Sequence, residues 1–216
     1  MAERAKQLLI LGTGLFALEV SDLVSEIPGF ELAGFVENLD RARCREKIEG
    51  LPVYWVDELE GLAGSHWAVC SLGTTERSAF TDQAEASGMR FARLVHPTAR
   101  VSSRSVLGEG VIVSPGAIIS AHTQLGRHVR VNRGALIGHH TRIGDYCTIQ
   151  PGANIAGACR IGPWTYIGMG ANVLDRITIG RHSVVGAGSV VTRDVPDHVQ
   201  VIGTPAKIVR ENIEGK

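Results

Sequence analysis

The sequence predicts a chain in two parts, a small parallel α/β domain followed by a parallel β-solenoid. Three observations predict it. From Val95 to Val191 every sixth residue, seventeen in all, is Val, Ile or Leu. Before Val95 that period is absent, and strand-like runs alternate with helical ones. The composition is 44% hydrophobic but only 5% aromatic, and 17 of the 26 glycines lie from Val95 onward. Many aliphatics with few aromatics suit a repetitive backbone packed by small and β-branched side chains.

Residues 1–94 form the first predicted domain. Gln7–Leu11 reads as a buried strand, Gly12-Thr13-Gly14 as a tight turn, and Phe16–Ser25 as a helix with Ala17, Val20, Leu23 and Val24 inward. Phe30–Val36, Val53–Trp55 and Trp67–Leu72 read as further strands, the last closed by Gly73. Thr74–Ser87 reads as a second helix, and Arg90–Leu94 leads into the solenoid. Gly12, Gly14 and Ala17 fit G-x-G-x-x-A, and Glu37 follows Ala17 by 20 residues. In that pattern, helix N-terminal N–H groups hold phosphate and the acid holds ribose hydroxyls. The domain is too short for two full mononucleotide halves, so a mononucleotide or nucleotide-sugar site is expected. A plain strand–turn–helix corner with no ligand is the alternative. The candidate substrate-binding set is Gly12, Thr13, Gly14, Phe16, Glu37, Asn38 and Gly73. Arg41, Arg43, Arg45 and Lys47, with Glu46 and Glu49, read as a solvated loop.

Residues 95–195 form the second domain, and 196–216 a C-terminal tail. A strict period of six matches neither a helix nor simple strand alternation. It predicts a prism with three short faces, 18 residues to the coil and five to six coils. Each aliphatic residue points inward. Two places before it sits a mostly small residue, such as Thr123, Ala135, Cys147 or Cys159, near a corner. One place after it glycine recurs, as at Gly108, Gly126, Gly138 and Gly162, where a turn geometry is expected. Such an array needs caps, which the first domain and the tail can supply. His128, Tyr146, Trp164 and His182 are spaced by 18 and should stack on one outer edge, read as packing at a subunit interface. His122 should stack one coil below His140.

Charge and composition bound the partners. Lys+Arg and Asp+Glu are 22 each, so bulk electrostatics favours neither nucleic acid nor an anionic membrane. No apolar run reaches the roughly 20 residues of a bilayer span. The first residues run straight into a strand, which reads as a cytoplasmic chain without a signal peptide. Cys44, Cys70, Cys147 and Cys159 show no CxxC spacing and read as thiols, the last two as core packing.

The uninterrupted hexads resemble the hexapeptide-repeat acyltransferases. The small Rossmann-like domain, the His96-Pro97 junction, the hexads and the tail Gly203-Thr204-Pro205-Ala206-Lys207 together resemble the PglD/NeuD-type sugar acyltransferases, including bacillosamine- and perosamine-type N-acetyltransferases. The resemblance covers essentially the whole chain. It implies a left-handed β-helix, a homotrimer, acetyl-CoA held between neighbouring prisms and no metal. It implies an N-acetyltransferase acting on a nucleotide-linked amino sugar in bacterial glycan biosynthesis. In the run from Val131 to Tyr146 it makes His139 the general base and Asn132 a contact to the substrate or to that histidine. It makes the Gly157 N–H a contact to the acetyl carbonyl and places Met169 and Ala187 on the CoA groove.

Three positions depart from the family pattern. His140 stands where an acid usually follows the base, Thr148 where a second histidine usually nears the acetyl group, and Phe16 where the phosphate turn usually has histidine. The catalytic set is therefore His139, His140 and Asn132, and the cofactor set Thr148, Gly157, Met169 and Ala187. A neutral imidazole suits removal of a proton from an attacking amine, and a fixed N–H suits the oxyanion. His140 supplies no negative charge. Asp145, or an acid of another subunit, is the candidate to compensate. An amine asks less of the base than a hydroxyl, which favours N- over O-transfer. O-acetylation of a sialic-acid-type sugar and a non-catalytic nucleotide-binding scaffold are the other readings. A zinc site from His122, His139 and His140 would need histidines converging across subunits.

Overall fold

The computed structural model describes residues 5–216. Contacts divide the chain into two compact units: residues up to 73 with 77–94, and residues 74–76 with 95–216.

The first unit runs β1 (Lys6–Leu11), α1 (Leu15–Ser25), β2 (Phe30–Glu37), β3 (Lys47–Ile48), β4 (Leu51–Trp55), α2 (Leu59–Leu62), β5 (His66–Cys70), α3 (Ser78–Ala86) and β6 (Arg90–Phe91). The sheet order is β3-β4-β2-β1-β5-β6. All neighbours run parallel except β3, which pairs antiparallel with β4. The central β1 is covered on both faces, which is why Leu8 to Leu11 form an unbroken apolar run with no exposed surface. Helix α1 turns Ala17, Val20, Leu23 and Val24 inward, as its 3.6-residue spacing requires. The helix expected from Thr74 starts at Ser78. Thr75 is engaged elsewhere: its hydroxyl donates to the Lys216 carbonyl and accepts from the Lys216 N–H, each at 2.9 Å. A tertiary partner thus takes the first turn out of the helix, and residues 74–76 count with the second unit.

The second unit is a triangular parallel solenoid. One face stacks Ile112–Val113, Arg130–Val131, Thr148–Ile149, Tyr166–Ile167 and Val184–Val185, then Val199–Gly203 and Ala206–Glu211. A second stacks Arg100–Val101, Ile118–Ile119, Leu136–Ile137, Asn154–Ile155, Asn172–Val173 and Val190–Val191. A third stacks Val106–Leu107, Gln124–Leu125, Arg142–Ile143, Arg160–Ile161 and Thr178–Ile179. The second residue of each two-residue strand points inward, so the hexad aliphatics form one continuous core. Residues 196–216 continue the first face with a hairpin whose turn holds a cis Thr204–Pro205 peptide.

The small residues do more than fit. Thr123, Thr141 and Thr165 donate their hydroxyls to the carbonyls of Gly138, Ala156 and Gly180 at 3.0, 3.1 and 2.7 Å. The Cys147 and Cys159 thiols reach the carbonyls of Gly162 and Leu174 at 3.0 and 3.1 Å. Each satisfies a corner carbonyl that the coil geometry turns inward.

The glycines divide into two classes, which corrects the turn role expected for those following the aliphatic residues. Gly108, Gly138 and Gly162 are not left-handed. A Cβ at Gly162 would lie 2.5 Å from the Arg181 nitrogen, and one at Gly138 2.5 Å from the Ala156 carbonyl carbon. They are glycine because the next coil passes too close. Among the coil glycines, Gly116, Gly134, Gly152, Gly170 and Gly188 are left-handed at the corner after the first face, with φ between 63° and 67°, and Gly110, φ 67°, is left-handed at the corner after the third. At the other two corners the left-handed position otherwise carries side chains: His122, His140, Ala158 and Arg176 after the second face, and His128, Tyr146, Trp164, His182 and His198 after the third.

Candidate active site

Those left-handed corners aim their side chains into columns. His128, Tyr146, Trp164, His182 and His198 stack with ring centroids 5.1, 5.7, 4.9 and 5.0 Å apart. The last member, His198, follows His182 by 16 residues and so falls outside the spacing of 18. The chain's own tail lies along the upper part of this column. Ile213 and Gly215 donate their N–H groups to the carbonyls of His198 and His182, at 3.0 and 2.9 Å. The Glu214 carboxylate sits 3.4 Å from His182 Nδ1 and 3.5 Å from His198 Nδ1.

At the corner after the second face, His140 takes the left-handed position and packs on His122, centroids 4.8 Å apart and planes tilted by 35°. His139 precedes it, and the two rings meet edge to face. Their Nδ1 atoms are 3.0 Å apart, a hydrogen bond in which one ring donates and the other accepts. One coil on, Gly157 lies against the His139 ring. A Cβ there would stand 2.8 Å from Cε1 and 2.9 Å from Nε2. Glycine at 157 is therefore a condition for His139 to occupy this place. His139 and His140 are both exposed. Asp145 does not serve this pair; its Oδ1 accepts the Arg127 N–H at 2.8 Å, tying the third corner of adjacent coils.

The other candidates fall elsewhere. Asn132 is buried at the corner after the first face. Met169 and Ala187 occupy that same corner in later coils. One hexad of near-extended chain separates this corner from that of His139, about 20 Å at most. Met169 and Ala187 line one cavity of about 390 Å³ with Tyr166, Ile202, Arg210 and Lys216. Thr148 is fully buried on the outer side of the first face. Within one chain, then, His139, His140 and Gly157 come together, while Asn132, Met169, Ala187 and Thr148 do not join them. Among the described residues no group of three His, Cys, Asp or Glu could hold a metal.

In the first unit the turn after β1 brings Gly12, Thr13 and Glu37 together. Gly12 has φ 110°, and a Cβ on it would meet Ser71 Oγ at 2.6 Å. Glu37 is buried, and Thr13 donates its hydroxyl to Glu37 Oε2. Glu37 Oε1 accepts the N–H groups of Asn38 and Leu39 at 3.0 and 2.9 Å. Burial raises the Glu37 carboxyl pKa, but the Thr13 hydroxyl and the Leu39, Asn38 and Asp40 N–H groups outweigh it and hold the value below normal. Gly14 caps α1 without a side-chain bond, Phe16 is half-buried, and Gly73 is exposed beyond β5. Asn38 Nδ2 donates to Gln83 Oε1 at 3.3 Å. The segment expected as a solvated loop is exposed, but its first part is an ordered 3₁₀ turn, Arg41–Arg45, capped by Asp40. It delivers Arg43 to the Thr13 carbonyl at 2.9 Å. Spacing could not show this, because the contact spans 30 residues and depends on where β2 ends.

Comparison with known proteins accords with this architecture. The family described as bacterial transferase hexapeptide (six repeats) matches over residues 122–157, 140–174 and 158–193. A histidine-to-asparagine variant of perosamine N-acetyltransferase from Caulobacter crescentus, in complex with CoA and GDP-perosamine, is 32% identical. It superimposes with a TM-score of 0.87 over 95% of this chain and 97% of that one. The acetyltransferase domain of PglB from Neisseria gonorrhoeae FA1090, in complex with acetyl coenzyme A, is 29% identical, with a TM-score of 0.87 over 95% and 100% of the chains. WeeI from Acinetobacter baumannii AYE is 25% identical, with a TM-score of 0.86 over 95% and 100%. No curated protein sequence matches the chain. With its left-handed parallel β-helix and Rossmann-like first unit, the chain belongs to the hexapeptide-repeat sugar N-acetyltransferases, acyltransferases that use acetyl-CoA.

Proposed function

We propose that the protein transfers acetyl from acetyl-CoA to the amino group of a nucleotide-linked amino sugar, with His139 as general base. The observation that carries this reading is the His139 cluster: a paired imidazole seated against Gly157. If His139 Nδ1 donates to His140 Nδ1, His139 Nε2 keeps its lone pair for the substrate. The amine attacks the thioester carbonyl as Nε2 takes its proton. The C–N bond forms and the oxyanion meets the Gly157 N–H, which makes no hydrogen bond among the described residues. Collapse breaks the C–S bond, CoA leaves as its thiolate, and the proton held on Nε2 passes to that sulfur, which restores the neutral base. His140 replaces a carboxylate as the orienting partner and is itself steadied by His122.

The cavity beside Met169 and Ala187 suits CoA, with apolar walls and the cations Arg210 and Lys216 at its edge. Because this corner and that of His139 lie on opposite sides of one face, the complete site is completed by a neighbouring copy. A cyclic homotrimer, in which one prism's corner meets the next prism's other corner, satisfies this, with Asn132 and Thr148 as supporting positions. The first unit binds the nucleotide, and the enzyme works in the cytoplasm. The Caulobacter relative was captured with GDP-perosamine, which supports a nucleotide-linked hexose with a free amine.

The test is thiol release from acetyl-CoA with purified protein and a panel of amino-sugar nucleotides. Turnover with an aminosugar nucleotide and none with its hydroxy counterpart is expected. His139→Ala should lower kcat by about 10²–10⁴, the usual worth of a general base. A fully active variant removes the mechanism.

A further inference from the structure

The acid of a dinucleotide-type turn is expected to face the ligand, but Glu37 faces inward. Its Oε1 already accepts from the N–H groups of Asn38, Leu39 and Asp40, at 3.0, 2.9 and 3.4 Å. Its Oε2 accepts the Thr13 hydroxyl, and Arg43 Nη1 lies 3.8 Å away. A carboxylate oxygen offers about two lone pairs, so little acceptor capacity is left for a ribose hydroxyl. The carboxylate is also 9% exposed in its side chain, too enclosed for a ligand to approach.

What Glu37 does hold is Arg43. The Asp40 side chain accepts the Ala42 N–H at 3.0 Å and starts the 3₁₀ turn that carries Arg43 back toward β1. There Nη2 donates to the Thr13 carbonyl at 2.9 Å. The guanidinium is thus fixed at one edge by Thr13 and Glu37, while 45% of its side chain stays exposed. A planar fork held at one edge, with its other N–H groups open, suits an anion with adjacent oxygens.

We propose that Arg43 contacts the diphosphate of a nucleoside diphosphate at the Gly12–Gly14 turn, and that Glu37 is a positioning residue that sets Arg43 rather than a ribose ligand. This rests on the nucleotide-sugar reading of the first unit. It is carried by the saturated Glu37 and by the bond from Arg43 to Thr13.

The test measures GDP, GMP, UDP and UMP binding to the full chain by calorimetry. Wild type, Arg43→Ala, Arg43→Lys and Glu37→Gln are compared, with melting temperature as the check on folding. The wild type should favour the diphosphate over its monophosphate. That preference should fall at least fivefold in Arg43→Ala and Glu37→Gln, and less in Arg43→Lys, which keeps the charge without the fork. A merely structural role would weaken both nucleotides alike and leave the ratio unchanged. A folded Arg43→Ala with an unchanged ratio overturns the proposal while the nucleotide reading stands. A wild type that binds neither GDP nor UDP overturns both.

Discussion

His139 meets two neighbours that constrain it differently. His140 holds one edge of the ring by a 3.0 Å Nδ1 contact, and Gly157 leaves the room that the ring occupies beside the next coil. Replacing Gly157 by Ala should move His139, the proposed base, without disturbing the core, because the added methyl would come 2.8 Å from the ring. Expected is a fall in kcat of about tenfold or more, since small displacements of a reacting group are costly. Far-ultraviolet circular dichroism should stay unchanged. Glu37 makes a different kind of prediction. Its pKa is lowered below 4.5 on folding, so its contribution to stability is present above that value and is lost as pH falls through the lower folded value. Glu37→Gln should therefore lower the melting temperature at pH 7. Its melting temperature should then decline less than that of the wild type between pH 5 and pH 3. The pairing of Glu37 with Thr13 was not legible in the sequence, whereas the spacing of Gly12, Gly14 and Glu37 was. Spacing tells which residues can meet; whether a carboxylate faces a ligand or its own loop depends on where the backbone N–H groups of 38–40 point.

At the scale of the coil, the two glycine classes give opposite experiments. Gly134→Ala places a side chain in the left-handed region with open space around it, at a cost of about 1–2 kcal/mol. Gly162→Ala drives a Cβ to 2.5 Å from backbone of the next coil and should lower the melting temperature more. The reverse order would show that conformational strain, and not coil spacing, selects these glycines. The tail belongs to this scale as well. Residues 213–216 are bonded to His198, His182 and Thr75, so removing 212–216 should speed hydrogen exchange at Thr75 and Glu76 relative to the β-helix core. Exchange unchanged there would mean that the 3₁₀ turn formed by Thr75–Arg77 stands without the tail.

In the molecule as a whole, the solenoid core is one chain of aliphatic contacts from coil to coil. Ile149 has no exposed surface, and truncation to Ala should cost about 2–5 kcal/mol. Ile118, on the outer side of its strand and 39% exposed, should cost far less by chemical denaturation. The sequence by itself determined the solenoid, its register and the stacking columns, because a period of six places every third hexad on one face whatever else the chain does. It also determined the parallel α/β character of the first unit, since β1 is apolar on both faces. Only the tertiary structure decided which glycines are glycine for space and which for φ. Only it decided that residues 74–76 leave their helix, that Arg43 reaches the Gly12–Gly14 turn, and that His139, His140 and Gly157 share a corner while Asn132, Met169 and Ala187 do not. These are distances between residues far apart in the chain or at opposite corners of a coil, and periodicity constrains faces, not the reach of individual side chains.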